Sequence, residues 1–285
     1  MNLFISDLDG TLLNQDAQIS GKSIEIINQQ IENGIAFTVA TARTPLSALP
    51  ILEQLKINCP LILMNGALIY TSIENRFLHM VEFGEKSMRA LAEAEKLVDM
   101  QGMLFWVEKG KFYMQLGNVN NGMWDGYYDL DKISGIDVIC SEVHRGSAKD
   151  LCMKNVVYAL YMDNTPQKLV SMCQILQEEE GIVFDFYKDK YTSERWCLEI
   201  SSSKASKGEA LKRIKKMLPL DYVIGFGDSW NDIPLFECCD EGYAVENASE
   251  ALKKCATEVI KSNVENGVAL FIKEWNEKIG KDKRK

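Results

Sequence analysis

Two carboxylates separated by one residue follow a short apolar run at the start of the chain: Asn2 to Ser6, then Asp7-Leu8-Asp9-Gly10-Thr11. If the run is a strand of a parallel sheet, both acids lie at its carboxyl edge, where open α/β sheets bind ligands. A carboxylate there can attack phosphorus and form an acyl phosphate that water then hydrolyses. A second carboxylate two residues on can protonate the leaving oxygen and later activate the water. Gly10 permits a sharp departure of the backbone from the strand. Asp and Gly are also common in plain turns, so an N-terminal turn is the lesser alternative for the pentapeptide taken alone.

Three further segments could complete such a site. Thr41 follows the apolar run Ile35 to Ala40; its hydroxyl and the next amide could bind a phosphoryl oxygen, or the segment could simply lead into a helix at Pro45. Arg43 is either a phosphate contact or half of a surface ion pair. Ser206-Lys207-Gly208 opens a helical pattern. A lysine there can neutralise charge on a transferring phosphoryl group, although Lys204 competes for the role and an amphipathic helix start would look the same. Gly227-Asp228-Ser229-Trp230-Asn231-Asp232 follows the run Tyr222 to Phe226. Two acids four apart with Asn between them make a hard-cation site, because magnesium takes carboxylate oxygens and keeps some waters. The alternative is an Asx turn capping a helix from Ile233.

The elements between these segments alternate. Ile24, Ile27 and Ile31 mark one helical face, stopped by Asn33-Gly34. Ile35 to Ala40 reads as a strand, Thr44-Pro45 opens a helix carrying Leu46, Leu49, Leu52 and Leu55, and Leu61 to Met64 reads as a strand. From Lys207 the pattern resumes with strands at Tyr222–Phe226, near Tyr243 and at Glu258–Ile260, separated by helices, and ends in a helix from Gly267. Such alternation predicts a Rossmann-like parallel sheet with helices on both faces. Between Phe83 and Tyr187 the texture is different. A helix from Glu85, hairpin strands around Lys109-Gly110, a strand at Val156–Met162, a helix between Thr165-Pro166 and Gly181, and strands from Ile182 to Ile200 predict an inserted α+β domain. The expected domains are therefore 1–82 with 188–285, and 83–187. The Gly/Asn/Asp-rich stretch from Asn118 to Asp150 yields no assignment.

Composition narrows the partners. The chain has 285 residues and a net charge of −9, which speaks against nucleic acid or an anionic membrane as partner but not against one local cationic pocket. No basic leader precedes an apolar core at the start, so no signal peptide is expected, and no run has the roughly 18 apolar residues of a membrane span. The eight cysteines contain no C-x-x-C pair, and the two histidines, His79 and His144, are isolated; zinc or an iron–sulfur cluster is not expected. Cysteines among apolar residues fit small buried hydrophobes in a reducing cytoplasm. Trp106, Trp124 and Trp196 read as packing residues. Phosphate-loop, dinucleotide and nucleophile-elbow motifs are missing.

Taken in order, the four segments resemble the motifs of the haloacid dehalogenase (HAD) superfamily, specifically its Cof-like phosphatase branch with an α/β (C2-type) cap. Asp7-Leu8-Asp9-Gly10-Thr11, Ala40-Thr41-Ala42-Arg43, Ser206-Lys207-Gly208 and Gly227-Asp228 through Asp232 resemble its four motifs, and Asn65-Gly66-Ala67 and Ser262-Asn263-Val264-Glu265-Asn266-Gly267-Val268 are further matches. Ala42 and Glu246 stand where relatives more commonly carry glycine. The resemblance implies a Mg2+-dependent phosphatase acting through an aspartyl-phosphate. Asp7 would be the nucleophile and Asp9 the general acid and base. Magnesium would be held by the Asp7 side chain, the Asp9 carbonyl and Asp228, with Asp232 in support. Phosphate would meet the amides of Leu8 and Ala42 and the side chains of Thr41, Lys207 and Asn231. The inserted domain would be a mobile cap, and the substrate a small phosphorylated metabolite such as a sugar phosphate or a phosphorylated cofactor. Transfer to a sugar hydroxyl, as in a phosphomutase, or binding of a phosphometabolite without turnover are the alternatives; oligomeric state is not legible.

Overall fold

A computed structural model describes residues 1–117, 144–145, 147–151, 154–189 and 195–282. The chain divides into two compact units, Met1–Leu78 with Ser206–Lys285, and His79–Ala205.

The first unit is built on a parallel sheet of five strands: β1 (Asn2–Ser6), β2 (Ala36–Val39), β12 (Tyr222–Gly227), β13 (Glu241–Val245) and β14 (Glu258–Ile260), in the order β14-β13-β12-β1-β2. β1 is an interior strand, between β12 and β2, and buried almost throughout, as an apolar run flanked on both edges must be. Helices cover both faces. Leu3 and Ile5 point to one face, where Ala210, Leu211 and Ile214 of α5 (Lys207–Met217) and Leu235 of α6 (Ile233–Phe236) pack. Phe4 points to the other, meeting Trp275 of α8 (Gly267–Asp282) edge-on at 5.1 Å, while Phe271 packs on Phe226 and Tyr243. α1 (Gly21–Glu32) lies beside α8. Ser20 and Ser206 cap α1 and α5 by accepting the amides of Ser23 and Glu209, the expected start signal.

The registers align the chemistry. Ser6 pairs with Phe226 of β12 on one side and with Val39 of β2 on the other. In a parallel sheet all three strands then end at one edge, and the residues just beyond them, Asp7, Thr41 and Asp228, emerge together. After β2 runs α2 (Pro45–Leu52). The expected strand at Leu61 becomes β3 (Leu61–Leu63), joined to the main sheet by a single parallel bridge, Ala40 to Ile62. It is the edge of a separate antiparallel sheet with β4 (Leu68–Thr71) and β5 (Arg76–Met80), two strands the sequence pattern did not disclose.

The second unit has a six-stranded sheet, ordered β10-β11-β9-β6-β7-β8, from β6 (Met103–Glu108), β7 (Lys111–Leu116), β8 (His144–Arg145), β9 (Val156–Asp163), β10 (Ile182–Lys188) and β11 (Trp196–Ser202). One face is covered by α3 (Glu85–Val98) and α4 (Gln167–Leu176), with Leu91, Leu104, Ala159, Leu169, Met172, Leu198 and Ile200 in its core. The boundaries differ from 82/83 and 187/188. β10 and β11 pair over their whole length, from Ile182–Ser202 to Lys188–Trp196, so residues up to Ala205 stay with the inserted sheet rather than returning to the core. Trp106 stacks on Tyr113 at 5.2 Å and Trp196 on Phe186 at 5.2 Å, as packing residues. Trp124, Cys140, Cys152 and the side chain of His144 lie outside the described residues. Among the described residues no helix is long and apolar enough to cross a membrane, and the six described cysteines are free.

Candidate active site

Asp7 stands one residue past β1 in extended conformation (φ −63°, ψ 162°), its amide donating to the Phe226 carbonyl at 2.9 Å. The chain then turns irregularly through Leu8–Leu12, where Gly10 takes φ 89°, a left-handed value that favours glycine. Asp7 is 5% exposed.

Lys207, the first residue of α5, answers it. Its ammonium donates to Asp7 Oδ1 and to Asp232 Oδ1, both at 2.6 Å, and its side chain is fully buried. The helical period explains why Lys207 and not Lys204 reaches the site: it shares a face with Ala210, Leu211 and Ile214, whereas Lys204 is exposed. Asp232 closes the turn after β12, its Oδ2 accepting from the amides of Asp228 and Ser229 at 3.0 and 3.1 Å. With Ser229 it forms a capping box, so the turn is capped, though by bonds back to the preceding amides rather than by an Asx turn.

Carboxylate oxygens of Asp7, Asp228 and Asp232 all lie within 4.8 Å of one another. Three carboxylates against one ammonium leave two negative charges, and the donors are hard oxygens; both properties fit a divalent cation. The electrostatics of the bare cluster say the same. Burial pushes the Asp7 carboxyl up to about 8, against the pull of Lys207 and helped by Asp232, Asp228 and Asp9. Burial alone would lower the Lys207 ammonium, but Asp232 and Asp7 outweigh it and hold it above its ordinary range. The cluster has more negative charge than its lysine can balance, so it takes up a proton or a cation.

The other expected residues are grouped around this cluster. Thr41 is 1% exposed; its hydroxyl accepts the Arg43 amide at 3.1 Å and its carbonyl accepts the Asn65 amide at 3.0 Å. Leu8 is buried and Ala42 half-buried. Asn231 donates to Asn65 Oδ1 at 3.2 Å. Arg43 grips Asp9 with two bonds of 2.7 Å, so the structure contains the ion pair that was one of the two readings of Arg43.

Several supports had no role in the sequence reading, although two matched segments contained them. Gly66 (φ +94°) lets the Met64–Gly66 turn touch the start of α5; a Cβ there would lie 2.1 Å from the Ser206 carbonyl oxygen. Asn247 donates to the Gly10 carbonyl at 2.7 Å, Asn263 to the Leu13 carbonyl at 2.8 Å, and the Asn263 amide to Asn247 Oδ1 at 3.1 Å. These bonds brace the loop carrying Asp9 from behind. The presence of Asn in both segments was the only available signal.

Comparison with known proteins agrees with this geometry. Residues 4–272 match the haloacid dehalogenase-like hydrolase family. Among curated proteins, Phosphatase YwpJ of Bacillus subtilis (strain 168) is 30% identical, covering 96% of this chain and 99% of its own. The 5-amino-6-(5-phospho-D-ribitylamino)uracil phosphatase YwtE of the same organism is 27% identical, covering 95% and 97%. A solved haloacid dehalogenase-like hydrolase from B. subtilis superposes with a TM-score of 0.71 at 27% identity, covering 96% of this chain and 99% of that one. With a family match spanning nearly its whole length, the chain belongs to the haloacid dehalogenase-like hydrolases.

Proposed function

We propose that this protein hydrolyses small phosphate monoesters through a phosphorylated Asp7, with magnesium as the metal. By family it is a phosphoric monoester hydrolase. The observation that carries the reading is the setting of Asp7. It is a buried carboxylate at the edge of a parallel sheet, with Oδ1 bonded to Lys207 and, among the described residues, no donor on Oδ2. A binding site for a phosphate dianion gains nothing from a carboxylate at its centre; a nucleophile belongs there.

In this reading Asp7 attacks phosphorus while the Asp9 carboxyl protonates the leaving oxygen. Asp9 then takes a proton from the water that cleaves the acyl phosphate. The phosphoryl oxygens are bound by the amides of Leu8 and Ala42, the Thr41 hydroxyl, the Asn231 amide group and Lys207. Asp7, the Asp9 carbonyl and Asp228 would hold Mg2+. Asp232, whose two oxygens already serve Lys207 and the turn amides, supports the set by fixing its geometry. The bound ion would screen the repulsion between Asp7 and the phosphate. The inserted domain would close over the ester and choose it. Sugar phosphates and phosphorylated cofactors are the favoured class, supported by a relative whose name specifies a phosphoribitylamino-uracil.

The test is release of inorganic phosphate from p-nitrophenyl phosphate, with and without Mg2+, by wild type and Asp7→Asn. Metal-dependent release that falls by about 10³ or more in the variant is expected. Wild-type activity in Asp7→Asn would refute the assignment.

A further inference from the structure

Arg43 and Asp9 are 34 residues apart in sequence and meet in a side-on fork: Nε donates to Oδ2 and Nη2 to Oδ1, both at 2.7 Å. Their side chains are only 19% and 26% exposed. A bidentate guanidinium fixes the plane of a carboxylate as well as its place. The arginine is itself anchored. Its amide donates to Thr41 Oγ1 and its carbonyl accepts from the Met64 amide, each at 3.1 Å. Asp9 stands on an irregular turn (φ −77°, ψ 107°) beside left-handed Gly10, a backbone that offers its side chain little restraint. A carboxylate has about four lone-pair sites. The fork takes one on each oxygen.

We infer that Arg43 is the positioning residue of the general acid, holding the Asp9 carboxyl at the angle from which it serves the leaving oxygen. The inference rests on the role proposed for Asp9 above. In the first half-reaction the bond from the Asp7 oxygen to phosphorus forms. The bond from phosphorus to the ester oxygen breaks, with its electron pair staying on that oxygen, and the Asp9 proton moves onto it. An alkoxide leaving group needs that proton; a nitrophenolate, already a stable anion, does not. Loss of the fork therefore discriminates between leaving groups. An arginine that bound the phosphoryl group would act on every ester alike, because the phosphoryl group is the same in all of them.

The experiment compares kcat/KM for p-nitrophenyl phosphate, phenyl phosphate and an alkyl phosphate in wild type, Arg43→Lys, Arg43→Ala and Asp9→Asn. Arg43→Lys keeps the charge but not the fork, and guards against misfolding of the alanine variant. Both Arg43 variants are expected to lose about tenfold more activity on the alkyl than on the nitrophenyl ester, a fraction of the 10²–10⁴ typical of general acid catalysis. Asp9→Asn should show a larger discrimination of the same sign. Guanidinium ion added to Arg43→Ala should restore part of the alkyl activity. A uniform loss across the esters in the Arg43 variants, with Asp9→Asn still discriminating, overturns the inference and leaves the acid in place. If Asp9→Asn does not discriminate, the role of Asp9 falls and the inference with it; because the two results are read in different variants, the failures are distinguishable.

Discussion

Lys207→Met would remove the only cation bonded to Asp7 among the described residues while keeping most of the side-chain volume. The ammonium is fully buried and donates at 2.6 Å to both Asp7 and Asp232. A hydrogen bond to a charged group contributes roughly 1.5–3 kcal/mol net, and breaking a buried ion pair costs about 3–5 kcal/mol because the remaining charge is stranded. The two bonds share one ammonium and are not additive, so the metal-free variant should lose about 3–5 kcal/mol once Asp7 is ionised, above about pH 8. The loss must shrink on acidification. Without the ammonium, which pulls the Asp7 carboxyl down, Asp7 binds its proton still more tightly in the folded chain than in the unfolded one, where its pKa is about 3.9. A carboxyl raised on folding loses stability as pH climbs above its unfolded value. With the lysine present Asp7 already keeps its proton up to about pH 8, so through Asp7 the deficit should be small below that pH and grow above it, where the wild-type carboxyl ionises against Lys207 and the variant's does not. Metal binding should move the other way. Removing a positive charge leaves three carboxylates facing the cation, so Mg2+ should bind at least about tenfold (~1.4 kcal/mol) more tightly, while turnover falls by about 10²–10³. Urea unfolding across this pH range and calorimetric titration with Mg2+ measure the two effects. A variant as stable as wild type well above pH 8, or one that binds Mg2+ more weakly, would refute the charge balance derived for the site.

Two other predictions concern supports. Gly66→Ala should cost about 3 kcal/mol or more, a left-handed backbone and a 2.1 Å clash with the Ser206 carbonyl acting together. Because Ser206 caps the helix that begins at Lys207, kcat should fall as well; an unchanged Tm would show that the turn relaxes freely. In the inserted domain, Glu95 is 4% exposed, accepts from the Ala148 amide at 2.7 Å and the Tyr161 hydroxyl at 2.9 Å, and is pushed by burial to about 7. Its folded value lies above the unfolded one, so it lowers stability as pH rises from about 4.5 to about 7, by about 3 kcal/mol in all. Glu95→Gln should remove that slope and be the more stable protein at pH 8, read from urea midpoints at pH 5 and 8; parallel pH dependences of the two proteins would exclude a titrating Glu95.

Much of the architecture was legible because it is local. The apolar run before Asp7, the Ile24, Ile27 and Ile31 face stopped by Asn33-Gly34 and the helix opening at Ser206-Lys207-Gly208 specify their elements within a few residues. Strand–helix alternation then restricts the core to a parallel sheet, and a parallel sheet gathers whatever follows its strands at one edge. That is why the sequence alone gathers Asp7, Thr41 and the Asp228 turn at one edge. The hairpin of β4 and β5 escaped notice because half-buried strands such as Arg76–Met80 lack a clean alternation. The end of the inserted domain was placed too early for a related reason: β11 looks like any apolar strand, and only its pairing with β10 shows which sheet it joins.

The sequence by itself determined the kind of chemistry, since carboxylates, a helix-starting lysine and an acid-rich turn have few other uses in that order. Tertiary structure alone decided the partnerships. It made Lys207 a shared cation between Asp7 and Asp232, paired Arg43 with Asp9, and tied Asn247 and Asn263 to the carbonyls of Gly10 and Leu13. Residues 25 to 250 positions apart make these contacts. No local propensity encodes them; they follow from strand order and register, which bring distant loops within hydrogen-bonding range and bury them where a charge must find a counter-charge.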